Sequence, residues 1–440
     1  MAITLGIDIG TTKCAAVCFD AANNRLLAAS SLNHNAAMPA PDGYAEQDPA
    51  KIVSCVCQTV DALPEKLRHQ VCAIGVTGQM HSVMGWNDTT VFPLITWQDQ
   101  RCSKAGMLDE FSRRCGHALC DGFGAATLAL TDTAEWTCAA TVMDYFVTLL
   151  CQNKKPVTDP ADAASWGIFD PQKQQWDKEA ARALDIPDRL LPEIRPSGCK
   201  TGSLAPFWSE KLGLPQGIPV VNGTGDNQAS ILGTGEDLDN ELFLTLGTGA
   251  QLSAVISAQE ALLAETGGNM EIRPFFNGRQ LLVSSCLCGG KAFAWLGDAV
   301  STILRDLGTV PPAMSELLDK IDALGVQAMK SKTVSLQMIP SFLGERGAPD
   351  RKGSIAGITL DNFTLGNLAA SDAAGILKNL LEGFPQEIIR RRKKILGSGN
   401  GIRKVQTVQA AIRQQFSQDF ELTDTQEEAA CGAAKLALGQ

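Results

Sequence analysis

An aspartate carried by an apolar run into a Gly-Thr-Thr turn stands near the start of this chain: Asp8-Ile9-Gly10-Thr11-Thr12-Lys13. Gly10 permits a backbone geometry that aims N–H groups outward, and the hydroxyls of Thr11 and Thr12 add donors. Such a turn is an anion cradle in which Asp8 can hold a magnesium ion through water, or it is a plain hairpin with a polar turn. Gly247-Thr248-Gly249 offers a second cradle of the same kind. Two cradles on facing domains can grip one polyphosphate from both sides.

Gly223-Thr224-Gly225-Asp226-Asn227-Gln228 follows the apolar run Ile218–Val221 and leads into a helix start at Ala229. Asp226 at or near that start is either a helix cap or a general base, exposed by small neighbours that let a substrate approach. Gly78-Gln79-Met80-His81 comes directly after the apolar run Ile74–Thr77, and loops at the C-terminal ends of α/β strands are where ligands usually bind. His81 is a ligand contact or a solvated loop histidine. Trp97, Gln98, Asp99 and Arg101 set an aromatic face beside amide, acid and guanidinium, a combination suited to a polyol. Leu396-Gly397-Ser398-Gly399-Asn400 reads as a strand-to-helix glycine turn that lets backbone approach a flat ligand.

These segments need strands and helices to hold them. Ile3–Ile9, Cys14–Phe19 and Arg25–Ser31 read as three strands joined by Gly, Asn and Asp turns; residues 50–65 read as a helix and Val71–Thr77 as a buried strand. The alternation argues an α/β domain. Leu242–Leu246, Gln251–Ile256 and Gln280–Ser284 repeat the opening pattern, which suggests a second domain of related architecture. The expected division is 1–235 and 236–440. Segments 264–280 and 308–333 read as loop-rich. The basic run at 390–394 is expected to end a helix over 371–393, where the dipole favours cations.

With 440 residues the chain has room for two or three domains, each with its own core. Apolar residues at 45% and charged residues at 20% exclude wholesale disorder. A net charge of −10 argues against nucleic acid or an anionic membrane as a partner. The 14 cysteines are scattered without zinc-site spacing, which fits buried thiols in a reducing compartment. The opening residues lack a basic stretch before an apolar run, and no membrane-length apolar run occurs; a cytoplasmic location is expected. Monomer and homodimer are both compatible with the sequence.

In this order the motifs resemble the FGGY carbohydrate kinases, a branch of the actin-like ATPase fold, across essentially the whole chain. Within that family, four stretches are similar to the sedoheptulokinase group: Thr96-Trp97-Gln98-Asp99 with Arg101-Cys102-Ser103; Gly122-Phe123-Gly124-Ala125-Ala126-Thr127; Ala163-Ala164-Ser165-Trp166-Gly167; and Leu343-Gly344-Glu345-Arg346 with Pro349-Asp350. The resemblance implies two actin-like (ribonuclease H-like) α/β domains with a catalytic cleft between them. It implies ATP and Mg2+, with Asp226 as the base and Asp8 and Asp226 at the metal. Thr11, Thr12, Lys13, Gly247, Thr248, Gly290, Gly399 and Asn400 are then expected at the nucleotide. Gln79, Met80, His81, Trp97, Asp99 and Asp226 are expected at the sugar. The implied reaction is phosphorylation of the terminal primary hydroxyl of a ketose, sedoheptulose first and a pentulose as the alternative; a non-catalytic sensor is the reading from another class. Two departures stand out. Lys13 occupies a place where the family usually has a small residue or Ser, and Asn400 replaces the usual adenine-side pattern after Gly399.

Overall fold

Alternating aliphatics make the first sheet. Ile3, Leu5, Ile7 and Ile9 are fully buried and form strand β1 (Ile3–Ile9). A computed structural model describes residues 2–331, 336–345, 348 and 350–438. The Gly10–Thr12 turn reverses the chain into β2 (Lys13–Asp20), antiparallel to β1 from Ile3↔Asp20 to Ile9↔Cys14, and β3 (Arg25–Asn33) follows. Helix α1 (Pro49–Asp61) begins with Pro and is capped by Asp48, which accepts from Ala50 N and Lys51 N. The chain then returns as β4 (Val71–Gly78), parallel to β1 on the side opposite β2. Helices α2 (Val142–Cys151) and α3 (Pro160–Ser165) precede β5 (Lys200–Ser203), β6 (Pro219–Val221), the short β7 (Thr224–Gly225) and helix α4 (Asp226–Thr234). The sheet order is β5-β6-β4-β1-β2-β3, with β7 also paired to β4.

The opening pattern does recur. Strand β8 (Glu241–Leu246) turns through Gly247–Gly249 into antiparallel β9 (Ala250–Ile256). After β10 (Met270–Pro274), β11 (Gln280–Cys286) pairs antiparallel with β9. Helices α5 (Gly290–Asp306), α6 (Met314–Ser331) and α7 (Leu365–Leu381) follow. Then β12 (Lys394–Ser398) lies parallel to β8, and β13 (Asp419–Leu422) lies parallel to β12. The run β3-β2-β1-β4 in one sheet thus matches β11-β9-β8-β12 in the other.

Several sequence expectations are corrected here. Residues 308–333 are mostly helix rather than loop: Leu317, Ile321, Gly325 and Met329 of α6 are buried at four-residue spacing, one stripe of a helix. Segment 264–280 contains β10. No single helix spans 371–393. The chain breaks at Gly383, whose φ is 80°, and a short helix, Gln386–Arg391, follows Pro385. The basic run is divided: Arg392 is buried and donates to Glu260 Oε1 (2.9 Å) and Val255 O (2.8 Å), while Lys394 opens β12.

The chain divides after Thr234, but the last segment does not stay with the second unit. One compact unit holds the residues up to Thr234, Pro274–Gly278 and the segment from Thr425 onward; the other holds Gly235–Arg273 and Arg279–Asp424. The reason is a close approach of backbones. The C-terminal helix Glu428–Leu436 lies so near β1 and β4 that a Cβ on Gly6 would sit 1.8 Å from Ala430 O, and one on Gly75 2.0 Å from Ala433 O. Only glycine allows this seat.

One core residue of the second unit has a measurable cost. Asp372 of α7 is fully buried, and neither carboxylate oxygen has a hydrogen-bond partner. Burial pushes its carboxyl from 3.8 up to about 8. The native state therefore holds a proton that the unfolded chain releases near pH 4. Stability falls as pH rises from the unfolded value through the folded one, by about 1.4 kcal/mol per unit at most. Asp372→Asn should be the more stable protein in urea at pH 8.5, with the two midpoints converging near pH 4.

Candidate active site

Three parallel strands of the first unit end side by side. Asp8 pairs with Thr77 and Ile9 with Gly78; Thr224 pairs with the same Thr77 and Gly225 with Gly78. One residue further on, Gly10, Gln79 and Asp226 leave the sheet at its C-terminal edge, the usual ligand edge of such sheets. Asp226 opens α4 and is half-buried. Its Oδ1 accepts from Asn227 N at 2.8 Å.

The Gly-Thr-Thr turn is braced from several sides. Gly10 N donates to Lys13 O (3.0 Å), closing the hairpin. Thr11 Oγ1 accepts from Trp97 Nε1 (2.9 Å), which leaves its own proton for a further acceptor. Thr11 O accepts from Gln47 Nε2 (2.7 Å), and Gln79 Nε2 donates to Gln47 Oε1 (3.0 Å). His34 holds the turn from behind. Its Nδ1 accepts from Ala36 N (3.1 Å), so Nε2 carries the proton and donates to Gly10 O (3.3 Å); burial keeps this ring below its ordinary pKa. Lys13 Nζ is paired with Glu427, at 2.6 and 2.8 Å from its two oxygens.

Asp8 sits in a strongly negative neighbourhood. Burial first, then the carboxylates of Asp226 and Glu427, push its carboxyl up to about 8 against the opposing Lys13 charge. Its Oδ1 is buried and has no hydrogen-bond partner. An orphaned acidic oxygen beside a second carboxylate fits a hard divalent cation, and magnesium on a phosphate substrate needs only one or two protein carboxylates. Among the described residues, no group of three or more His, Cys, Asp or Glu is arranged to hold a metal.

The segments read as sugar-lining divide into two kinds. Gln79 is 1% exposed, and its Oε1 is buried without a donor. Met80 packs over Gly225: a Cβ there would lie 2.5 Å from Met80 Sδ. His81 takes a left-handed φ of 67°, stacks on Phe123 at 4.8 Å and donates from Nδ1 to Ser165 O (2.7 Å). Trp97 is 41% exposed. Asp99 is different. It is 1% exposed; Oδ1 accepts from Arg101 N (3.0 Å) and Nε (2.8 Å), and Oδ2 from Ala45 N (2.8 Å) and Arg101 Nη2 (3.0 Å). All four acceptor positions are filled. This carboxylate, with Arg101 also bound to Glu46 (2.7 Å), shapes the loop that carries Trp97.

In the second unit, Gly247, Thr248, Gly290, Gly399 and Asn400 come together around the end of β8. Gly289 N donates to Thr248 O (2.9 Å) and Gly290 N to Gly247 O (2.8 Å), tying the turn to the start of α5. Gly399, with φ 88°, links β12 to helix α8 (Asn400–Lys404). A Cβ on it would lie 2.5 Å from Leu246 O. Thr245 and Ser398 join hydroxyls at 2.9 Å. Thr248 and Asn400 are exposed. Arg346 and Pro349, part of one resemblance stretch, lie outside the described residues.

Sequence reasoning missed His34, Gln47, Asp159 and Glu427. Glu427 lies 414 residues from its partner Lys13, and nothing local marks any of them.

The fold, with two sheet-containing α/β units, is that of solved sugar kinases. The model of the FGGY family of carbohydrate kinases, N-terminal domain, matches residues 3–121 and 126–233, and the chain belongs to that family. It is an ATP-dependent carbohydrate kinase. The chain is 29% identical to mouse sedoheptulokinase over 99% of its own length and 97% of the relative's. Human sedoheptulokinase is 29% identical over 94% and 93%. The fold is also that of xylulose kinase from Rhodospirillum rubrum: TM-score 0.83, 22% identity, 99% of this chain and 89% of that one. Among the described residues, no helix is long and apolar enough to cross a membrane.

Proposed function

We propose that this kinase transfers the γ-phosphoryl group of ATP to the terminal primary hydroxyl of a ketose, with sedoheptulose as substrate and sedoheptulose 7-phosphate and ADP as products. One observation carries the reaction: the strand register that brings Asp226 out beside Gln79 and next to the Gly-Thr-Thr turn. The full-length likeness to mouse sedoheptulokinase supports the choice of sugar.

Asp226 accepts the hydroxyl proton. The freed oxygen attacks the γ-phosphorus in line, and the bond to the bridging oxygen of ADP breaks. Turn N–H groups and the hydroxyls of Thr11 and Thr12 stabilise charge on the phosphates. Gly247, Thr248, Gly290, Gly399 and Asn400 hold the nucleotide. Asp8 and Asp226 would hold a magnesium ion, which would neutralise charge on the phosphates. Gln79 Oε1, buried without a donor, accepts from a sugar hydroxyl, and Met80, His81 and Trp97 line the rest. Lys13 is engaged by Glu427 and reaches phosphate only by leaving it.

A pentulose substrate is the second reading, favoured by the 28% identity to xylulose kinase of Lactococcus lactis. ADP release should be measured with sedoheptulose, D-xylulose, D-ribulose, L-ribulose and glycerol. The highest kcat/KM is expected for sedoheptulose. Preference for a pentulose overturns the sugar assignment and leaves the kinase; no turnover with any of them favours a sensor.

A further inference from the structure

Resting on the reading of Asp226 as base, we propose that Asp159 is a positioning residue: through the Thr224 hydroxyl it fixes the backbone that presents Asp226. Asp159 is fully buried just before α3. Its Oδ1 accepts from Asp162 N at 2.8 Å and caps the helix. Capping needs no more than that. The other oxygen does something else: Oδ2 accepts from Thr224 Oγ1 at 2.7 Å and Ser197 Oγ at 2.6 Å. Thr224 lies 65 residues away and two residues before Asp226.

Thr224 is held at its other end too. Its carbonyl accepts from Thr77 Oγ1 at 2.8 Å, and its backbone pairs with β4. The residue before it lies against a second buried acid, since a Cβ on Gly223 would sit 2.6 Å from Asp144 Oδ1. The chain leading to Asp226 is therefore clamped by a ladder on one side and a carboxylate on the other. Ladder ends fray; a short hydroxyl bond to a fully buried carboxyl oxygen adds a second, side-chain tether. The clamp fixes where the carboxylate of Asp226 meets a hydroxyl, and misplacement of about 1 Å costs about 10²-fold in rate.

The test uses the full chain and ADP release with sedoheptulose or, if it turns over faster, D-xylulose. Thr224→Val spares the helix cap and should lower kcat about 10- to 100-fold, with KM for ATP and sugar within about twofold. Thr224→Ser should recover most of the lost kcat. Asp159→Ala, which also removes the helix cap and the Ser197 bond, should lower kcat at least as much, and the double variant should lose little more than Asp159→Ala alone, because the bond to Thr224 is already gone. If Thr224→Val does not fold, Thr224→Ala serves, with kcat referred to folded protein by thermal unfolding. Unchanged kcat in the folded variant, or additive losses in the double, overturns the proposal. The base reading fails separately: turnover retained in Asp226→Asn removes it, whereas loss there with normal Thr224→Val removes the clamp alone.

Discussion

Asp226→Asn should lower kcat by about 10²–10⁴-fold, with nucleotide affinity measured without magnesium within a few-fold of the parent. Asparagine keeps the shape of the side chain, and its amide oxygen can still accept from Asn227 N, as Asp226 Oδ1 does at 2.8 Å. The first turn of α4 should therefore survive. What disappears is the ability to take a proton from the sugar hydroxyl as the phosphoryl group arrives. Geometry makes Asp226 the residue for that task. It leaves β7 in register with the strand that delivers Gln79, and β1 delivers the Gly-Thr-Thr turn on the same edge. Steady-state ADP release separates kcat from KM, and calorimetric titration with ATP reads nucleotide affinity without turnover. Activity within tenfold of the parent would pass the role of base to another group.

The turns were legible because they depended on neighbours in sequence. Gly10-Thr11-Thr12 and Gly247-Thr248-Gly249 announced two turns of one kind, because glycine and threonine in a strand-to-strand turn leave few backbone options, and both sheets bear this out. Strand ends were read short by one or two residues, as with β3 and β11. What escaped was whatever depended on distance. Asp99 and Arg101 looked like a polar face for a sugar; two residues apart, they close on each other and on Ala45, and no pattern of residue types distinguishes an acid facing a ligand from one facing its own arginine. His34, Gln47 and Asp159 meet their partners only when separate strands and helices assemble. Helix α6 was hidden for a different reason: its buried stripe recurs only every fourth residue, between charged positions that also suit a loop. The placement of the C-terminal helix rests on glycines in β1 and β4, which in a strand pattern look like weak points.

Those glycines set the second large expected effect. Gly6→Ala should destabilise the first unit by more than about 4 kcal/mol, in the range reserved for breaks in core packing. The new methyl would lie 1.8 Å from Ala430 O and 2.8 Å from Ala434 N, both backbone atoms of the C-terminal helix rather than the tip of a flexible side chain. Strand β1 cannot withdraw, because β2 and β4 hold it on both sides. The helix must move instead, opening the cluster of Val17, Phe19, Ala430, Cys431 and Ala434. Its displacement also carries Glu427 away from Lys13 and from the neighbourhood of Asp8, so kcat should fall although Gly6 touches neither sugar nor nucleotide. Gly217→Ala is the control: its φ of 76° strains an alanine, but no atom lies within 4 Å of the added carbon, and a cost of about 1 kcal/mol is expected. Urea unfolding followed by circular dichroism compares the two, and limited proteolysis reports release of the segment after Asp424. Equal midpoints would mean that the helix has another seat available, and the assignment of the C-terminal segment to the first unit would lose its physical basis.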